Sequence, residues 1–599
     1  MQELFSALSL WLSAHPLITG WYTAIARLLF PVLSALILVR AIRSLLRIPH
    51  TPEVWAQLSL PGGGSIPLTH WENILGRGKS ADAILNYPSI SRQHAALCRG
   101  EDGAWTVYDL GSKGGTAVNG TPVTEQAPLK LGDTLTLGGV PLVFLPQTVG
   151  EREELEKKRQ AERPAAMWPS FLWLTVFQIL TAIQLTLAAG EKVSPVIPIC
   201  FLTLTVVMWL YAAALRLGRC VGFELETIAF YLSTLSLAVT ASSAPGSLPK
   251  QLLAIVLGMG LFLALGLFLR DLERVEKRRW LMAAGAIGLL GITLVLGKAK
   301  FGATNWVTLG GISFQPSEIA KICYIFAGAA TLERLFHKRN LTLFIVLTGV
   351  CIGLLGLMSD FGTAAIFFVT FLVIAYMRSG DFATLSLICG GAVFGAGIIL
   401  KFKPYILSRF ASWGHAWEAA STTGYQQTRT MSAVASGGLF GAGPEEAWLK
   451  YVGAANTDLV FGVVSEEFGL LLALCAAAAV ILLGIYALRA AGRSRSSFYA
   501  IAACATAAML VFQTTLNVLG SVDLLPLTGV TFPFVSMGGS SMLSCWGLLA
   551  YLQAAAPPPV SVKAAPKAPA PAVKPPQATG FLDELGVATD DIFGKEDAR

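Results

Sequence analysis

A polytopic all-α membrane protein with an inserted all-β domain is the fold class this sequence predicts, and three observations predict it. The 599-residue chain is 54% hydrophobic and only 14% charged, with a mean hydropathy of +0.61, which excludes a purely soluble enzyme. Apolar stretches of about 18 residues or more recur along most of the chain, each long enough to cross a hydrocarbon layer roughly 30 Å thick as a helix. Residues 51–147 break that pattern with short alternating runs such as Trp105-Thr-Val-Tyr108 and Leu135-Thr-Leu137, punctuated by Gly, Asn, Asp and Pro. That is the pattern of a small antiparallel β domain.

In chain order, residues 1–50 hold the first apolar run, Trp21 to Val39, which ends in Arg40, Arg43 and Arg47. No basic stretch precedes it, so it reads as a retained anchor rather than a cleaved signal. After the β domain comes a charged link over 148–167, whose EREELEKKRQAER core suits a solvated helix. Residues 168–555 form the multi-span membrane domain, with apolar segments near 168–189, 194–216, 223–243, 248–269, 280–297, 316–335, 341–358, 361–377, 383–400, 458–487, 498–520 and 530–553. With the anchor, that makes about thirteen transmembrane helices. Residues 556–599 are a Pro/Ala/Lys-rich linker and an acidic C-terminal tail in which Thr589 is a candidate phosphoacceptor.

The net charge of +7 comes from 44 Lys and Arg against 37 Asp and Glu, and the surplus lies in short loops between apolar runs. This distribution reports membrane topology and argues against nucleic-acid binding. With the N-terminus outside, the clusters Arg40–Arg47, Arg216–Arg219, Arg270–Arg279, Arg334–Arg339, Arg378 and Arg489–Arg495 all fall on the cytoplasmic side. The β domain and the tail then lie in the cytoplasm, and the polar loop from Lys401 to Asn456 faces outward. None of the nine cysteines has the spacing of a disulfide framework or a zinc site, so no metal ligands are assigned.

Within the β domain, Gly76-Arg77, Ser91-Arg92-Gln93-His94 and Gly115-Thr-Ala-Val-Asn119-Gly120 occur in that order, before a closing LKLGDTLTLGG. This arrangement resembles the forkhead-associated (FHA) domain, a β-sandwich that binds phosphothreonine peptides. A phosphate dianion needs charge-assisted donors in a fixed fork, which a guanidinium supplies better than an ammonium. The resemblance implies that Arg77 and Ser91 hold the phosphate, Arg92 and Thr116 line the site, Asn119 grips the peptide backbone and His94 braces the loop. The expected partner is a phosphothreonine protein from a Ser/Thr kinase pathway. The plainer alternative is a sandwich used only for docking.

Ionisable groups at membrane depth are costly, so each is a functional candidate. Four clusters stand out. The first, Asn305 to Lys321, enters a helix at Pro316, where Glu318 and Lys321 stand one turn apart and can pair. The second, Ser359-Asp-Phe-Gly-Thr363, places Asp360 between two spans, as a helix cap or a substrate contact. The third runs from Gly424, with Gln426 and Arg429, through Ser436-Gly-Gly-Leu-Phe-Gly441 to Asn456–Gly469; Asp458 sits at the mouth of a span and Glu466 lies deeper. The fourth, Asn517 to Ser541 with Ser540, carries enough Gly and Pro to break a helix at the membrane face.

In this order the four strings resemble the shape, elongation, division and sporulation (SEDS) family, the RodA and FtsW proteins of bacterial wall synthesis. The resemblance implies a peptidoglycan glycosyltransferase that polymerises lipid II at the outer face of the cytoplasmic membrane beside a class B penicillin-binding protein. Asp458 matches the family's catalytic aspartate. The remaining candidates, Glu318, Lys321, Asp360, Gln426, Arg429, Glu466 and Ser540, are substrate-binding or structural. A departing pyrophosphate needs a cation, either Arg409, Arg429, Lys401, Lys403 or Lys450, or a divalent metal ion. Two other functions fit the residues: a lipid II flippase, or an inactive phosphopeptide-dependent scaffold. The chain departs from the family's pattern at Thr304 and Asn305, usually basic, at Asn456, usually histidine, at Leu459, usually phenylalanine, and at Met537, usually tyrosine.

Overall fold

The computed structural model describes residues 16–47, 53–78, 81–100, 102–147, 150–151, 153–154, 157 and 167–556, except 190–193, 218–222, 301–302, 310–311, 331–337, 380–381 and 403–412. Most of the 148–167 link, the tail with Thr589, and Lys403 and Arg409 therefore lie outside the described residues.

The β domain is a two-sheet sandwich. Its strands are β1 (Ala56–Ser59), β2 (Ser65–Leu68), β3 (Glu72–Gly76), β4 (Ala83–Ile84), β5 (Ala95–Arg99), β6 (Trp105–Asp109), β7 (Thr116–Val118), β8 (Thr121–Pro122), β9 (Gln126–Leu129), β10 (Thr134–Leu137) and β11 (Val140–Leu145). One sheet has the order β2-β1-β11-β10-β7-β8 and the other β4-β3-β5-β6-β9. Strand alternation sends Leu58, Leu75, Leu97, Val107, Leu135, Leu137 and Phe144 into one buried core, each contributing roughly 1.5–3 kcal/mol.

The membrane part comprises α1 (Pro16–Arg47), α2 (Met167–Ala188), α3 (Val196–Leu217), α4 (Glu224–Ser243), α5 (Leu248–Phe268), α6 (Leu272–Leu296), α7 (Pro316–Ala330), α8 (Lys338–Leu357), α9 (Phe361–Ser379), α10 (Phe382–Phe402), α11 (Tyr425–Gly437), α12 (Val460–Phe468), α13 (Leu470–Ala491), α14 (Ser497–Ser521) and α15 (Gly539–Ala555). Among the described residues, nine helices are long and apolar enough to cross a bilayer, and the protein is a multi-pass membrane protein. The expected count of about thirteen needs four further helices outside that set, α7, α8, α10 and α15, of 15, 20, 21 and 17 residues.

Helix α4 lies at the centre, buried along almost its whole length. The three helices ahead of it are tied on by polar contacts. Gln178 Nε2 donates to Thr234 Oγ1 at 3.1 Å, Thr205 Oγ1 donates to Gln178 Oε1 at 2.8 Å, and Ser44 donates to Glu224. Small residues allow close helix packing: a side chain at Gly258 on α5 would meet Trp546 of α15 at 3.0 Å.

Three segments differ from expectation. The apolar run 458–487 is not one span, because Gly469, at φ +99° and pressed on the Leu439 carbonyl, divides it into α12 and α13. The run 530–553 is helical only from Gly539. The stretch read as a loop before Pro316 forms an antiparallel meander of β12 (Lys298–Lys300), β13 (Ala303–Leu309) and β14 (Ile312–Phe314).

Candidate active site and phosphopeptide surface

The four polar clusters of the membrane domain converge on the irregular segment 528–541. Asn517, buried on α14, donates from Nδ2 to the Asp458 carbonyl at 2.9 Å and to the Val530 carbonyl at 2.8 Å. It thereby staples the third cluster to the fourth. Gly529, at φ +69°, faces the aspartate; a side chain there would begin 3.3 Å from Asp458 Oδ2. Glycine thus satisfies the left-handed backbone and leaves the space before the carboxylate open. On the other side, Gly362 of α9 packs on Thr528 and Val530.

Asp458 is half-buried, and its amide donates to the Ala454 carbonyl at 2.8 Å. It stands one residue ahead of the following helix's N-cap: Leu459 holds that position in α12. Asp360, by contrast, does cap α9, accepting the Thr363 amide at 3.2 Å, and its other oxygen accepts from Asn305 Nδ2 at 3.3 Å and Gln315 Nε2 at 3.4 Å. The Gln315 amide in turn donates to Ser540 Oγ at 3.3 Å.

Deeper in the domain, Lys321 Nζ lies 2.9 Å from Glu318 Oε1 and donates to Gln513 Oε1 at 2.9 Å, while Gln513 Nε2 donates to the Thr531 carbonyl at 2.8 Å. Glu466 is fully buried and accepts the amides of Trp448 and Leu449 at 3.1 and 2.9 Å, which anchors that loop. Gln426 Nε2 donates to the Gly453 carbonyl at 2.9 Å, and the exposed Arg429 stacks on Tyr425 with 5.2 Å to the ring centroid. Lys450 Nζ donates to the Pro444 carbonyl at 2.5 Å. No group of three His, Cys, Asp or Glu side chains gathers to hold a metal ion among the described residues.

In the sandwich, Gly76-Arg77-Gly78 lies directly over the Arg92 backbone: side chains at Gly76 and Gly78 would begin 2.3 and 2.7 Å from the Arg92 carbonyl. The Arg77 and Gly78 amides donate to the Ser91 and Arg92 carbonyls at 3.0 and 2.9 Å. The exposed side chains of Arg77 and Arg92 thus start from one braced loop pair. His94 is buried, accepting the Ser91 amide at 3.0 Å and lying 3.0 Å from the Gly115 carbonyl.

Two of the expected residues carry hydrogen bonds within the sandwich. Thr116 is buried and donates to Asp109 Oδ1 at 2.6 Å. Asn119 is exposed and donates to Asp133 Oδ1 while accepting the Thr134 amide, both at 2.9 Å. Exposed Lys113, passed over in the sequence, also joins the loop pair, because its amide donates to Ser91 Oγ at 3.1 Å. Its signal was a cation between the second and third FHA strings.

Burial alone raises the Asp109 pKa, but hydrogen bonds from Ser112, Thr116 and Gly111 outweigh it and hold the carboxyl below its ordinary value. Those bonds are therefore present above the ordinary carboxylate range and are lost as the pH falls through the depressed pKa. Asp109→Ala strands the buried Thr116 hydroxyl and is expected to destabilise the sandwich by about 1–3 kcal/mol, measured by denaturant unfolding followed through tryptophan fluorescence.

Comparison with known proteins agrees with both halves. Residues 224–557 match the family described as cell cycle protein, FtsW/RodA/SpoVE, and residues 73–138 match the FHA domain. The probable peptidoglycan glycosyltransferase FtsW of Coxiella burnetii is 32% identical over 310 residues, covering 47% of this chain and 81% of that one. The probable peptidoglycan glycosyltransferase FtsW of Bacillus subtilis is 30% identical over 327 residues, covering 51% and 79%. A chain of the solved structure "Structural coordination of polymerization and crosslinking by a peptidoglycan synthase complex" shares 26% identity with a TM-score of 0.45, covering 55% of this chain and 96% of that one. With more than half of its length matched, this chain belongs to the FtsW/RodA/SpoVE family of cell cycle proteins and carries an FHA domain ahead of the family's membrane region.

Proposed function

We propose that the chain is a peptidoglycan glycosyltransferase that polymerises lipid II into glycan strands at the outer face of the cytoplasmic membrane, controlled through phosphothreonine binding by its FHA domain. The observation that carries this reading is Asp458, a carboxylate one residue ahead of the N-cap of α12 and facing Gly529, held by its backbone against the segment where all four polar clusters meet. Joining two lipid-linked sugars requires a hydroxyl to lose its proton as it attacks an anomeric carbon, and the pyrophosphate-linked lipid leaves from the opposite face. Asp458 takes that proton. Gly529 keeps the approach open, and Asn517 fixes the aspartate's position. The departing charge is met by Arg429, by Lys450 or by a divalent ion.

The basic loops support an external N-terminus, an external Asp458 and a cytoplasmic FHA domain and tail. The proposed divisions are an anchor over 1–50, the FHA domain over 51–147, a link over 148–167, the membrane domain over 168–555 and a tail over 556–599. A class B penicillin-binding protein is the proposed partner outside, and a phosphothreonine protein the partner inside.

The deciding experiment gives purified full-length chain lipid II, with and without its cognate transpeptidase, and resolves products by gel. A ladder of glycan strands is expected. Absence of polymer under both conditions overturns the reading, and transbilayer movement of labelled lipid II in its place identifies a transporter. For the cytoplasmic half, Arg77→Ala is expected to weaken binding of phosphothreonine peptides about ten- to hundredfold, measured by fluorescence anisotropy.

A further inference from the structure

The FHA domain is seated on the membrane domain through Glu72, the first residue of β3. Glu72 Oε1 accepts from Ser496 Oγ at 2.7 Å, and Oε2 accepts from the Ser497 amide at 2.9 Å and from Ser497 Oγ at 3.3 Å. The neighbouring residues complete the seat. The Trp71 amide donates to the Arg495 carbonyl at 2.7 Å, and His70 Nδ1 lies 2.9 Å from the Ser494 carbonyl. The Arg495 guanidinium stands 5.0 Å from the ring centroids of both Trp71 and Tyr499 and donates to the Arg270 carbonyl at 2.5 Å, in the turn between α5 and α6. Burial raises the Glu72 pKa, against the pull of its serine donors and His70. A half-buried carboxylate met by three matched donors marks a built interface, since carboxylate oxygens turned from water without donors are costly.

Both elements that meet at this seat run to a functional end. Strand β3 covers five residues from Glu72 to Gly76, and Arg77 of the phosphate-reading loop follows directly. Helix α14 begins at the seat, N-capped by Ser496, whose hydroxyl accepts the Phe498 amide at 3.3 Å while donating to Glu72. It continues for 25 residues and carries Asn517, which holds the Asp458 and Val530 carbonyls. One strand and one helix, joined by the half-buried Glu72 carboxylate, therefore connect the phosphate reader to the proposed catalytic aspartate.

We propose that the FHA domain regulates the membrane site through this fixed seat rather than acting as a tethered recruiter: peptide binding beside Arg77 shifts β3, and the Glu72 clasp passes that shift along α14 to Asn517 and Asp458. The proposal rests on the reading of Asp458 as the base of a glycan polymerase. Coupling needs a rigid element biased by both sites, and α14 runs from the Glu72 seat to Asn517, which holds the Asp458 carbonyl.

The test uses full-length protein in detergent, lipid II, and a degenerate phosphothreonine peptide pool with its unphosphorylated twin. The phosphorylated pool is expected to change the wild-type polymerisation rate about fivefold or more. Glu72→Ala and the isosteric Glu72→Gln are expected to bind the pool as wild type does and to polymerise, with the rate response reduced to less than about half of wild type. Hydrogen exchange at 497–501 is read in parallel: the pool should alter protection there in wild type and not in Glu72→Ala. A wild-type response retained in both Glu72 variants, or a pool that leaves the rate and the exchange of wild type unchanged, overturns the proposal. If no protein polymerises, the polymerase reading fails on its own, and the exchange data still decide whether the seat transmits binding.

Discussion

Asp458→Asn is expected to lower lipid II polymerisation by about two to four orders of magnitude, the usual contribution of a positioned general base, while leaving the fold unchanged. The substitution keeps shape and size and removes only the proton acceptor. It leaves the helix start alone, because Leu459 rather than Asp458 occupies the N-cap of α12. The backbone ties also survive: the Asp458 amide still reaches the Ala454 carbonyl and Asn517 still holds the Asp458 carbonyl. Two readouts on one preparation test this, the glycan ladder and the thermal unfolding midpoint in detergent. Unchanged polymer from the variant removes Asp458 from the chemistry, and a large drop in the midpoint shows that the residue supports structure.

Local relations in this protein were legible in the sequence, and long-range ones were not. Glu318 and Lys321 pair because three residues of helix set them on one face, so their spacing alone predicts the contact. The two FHA strings around Arg77 and Ser91 likewise declare a backbone crossing that only glycine at 76 and 78 permits. The burial of Thr116 and the orientation of the exposed Asn119 depend on Asp109 and Asp133, partners that no motif names. The break at Gly469 was hidden because both sides of it are apolar, and hydropathy carries no record of a positive φ. Two departures from the family pattern prove to be neighbours: the Met537 amide donates to the Asn456 carbonyl at 2.8 Å, and Asn456 Nδ2 lies 3.5 Å from Met537 Sδ. Read separately, each cast doubt on the site; in space they form one contact. The FHA seat joins residues 424 and 425 positions apart, beyond the reach of any periodicity.

Lys321→Met carries the other large expected effect, and here the loss is structural. The Glu318 and Lys321 side chains are 5% and 2% exposed, so removing the lysine leaves a buried carboxylate without its cation. Such a break costs about 3–5 kcal/mol, a large share of the roughly 5–15 kcal/mol that holds a typical protein folded. It also takes the donor from Gln513 Oε1, and Gln513 is what holds Thr531 within the convergent segment. The single variant is therefore expected to accumulate poorly and to unfold at a lower temperature. Glu318→Leu combined with Lys321→Met removes both charges, and replacing a buried ion pair by apolar groups of similar volume is often neutral or better. The double variant is expected to recover the unfolding midpoint and, with it, polymerisation. A double variant that folds as wild type does but makes no polymer would give the pair a chemical task, as a path for substrate through the bilayer requires. Recovery of both shows that the pair has no chemical task, and that the single variant fails through the uncompensated Glu318 carboxylate rather than through the lost bond to Gln513.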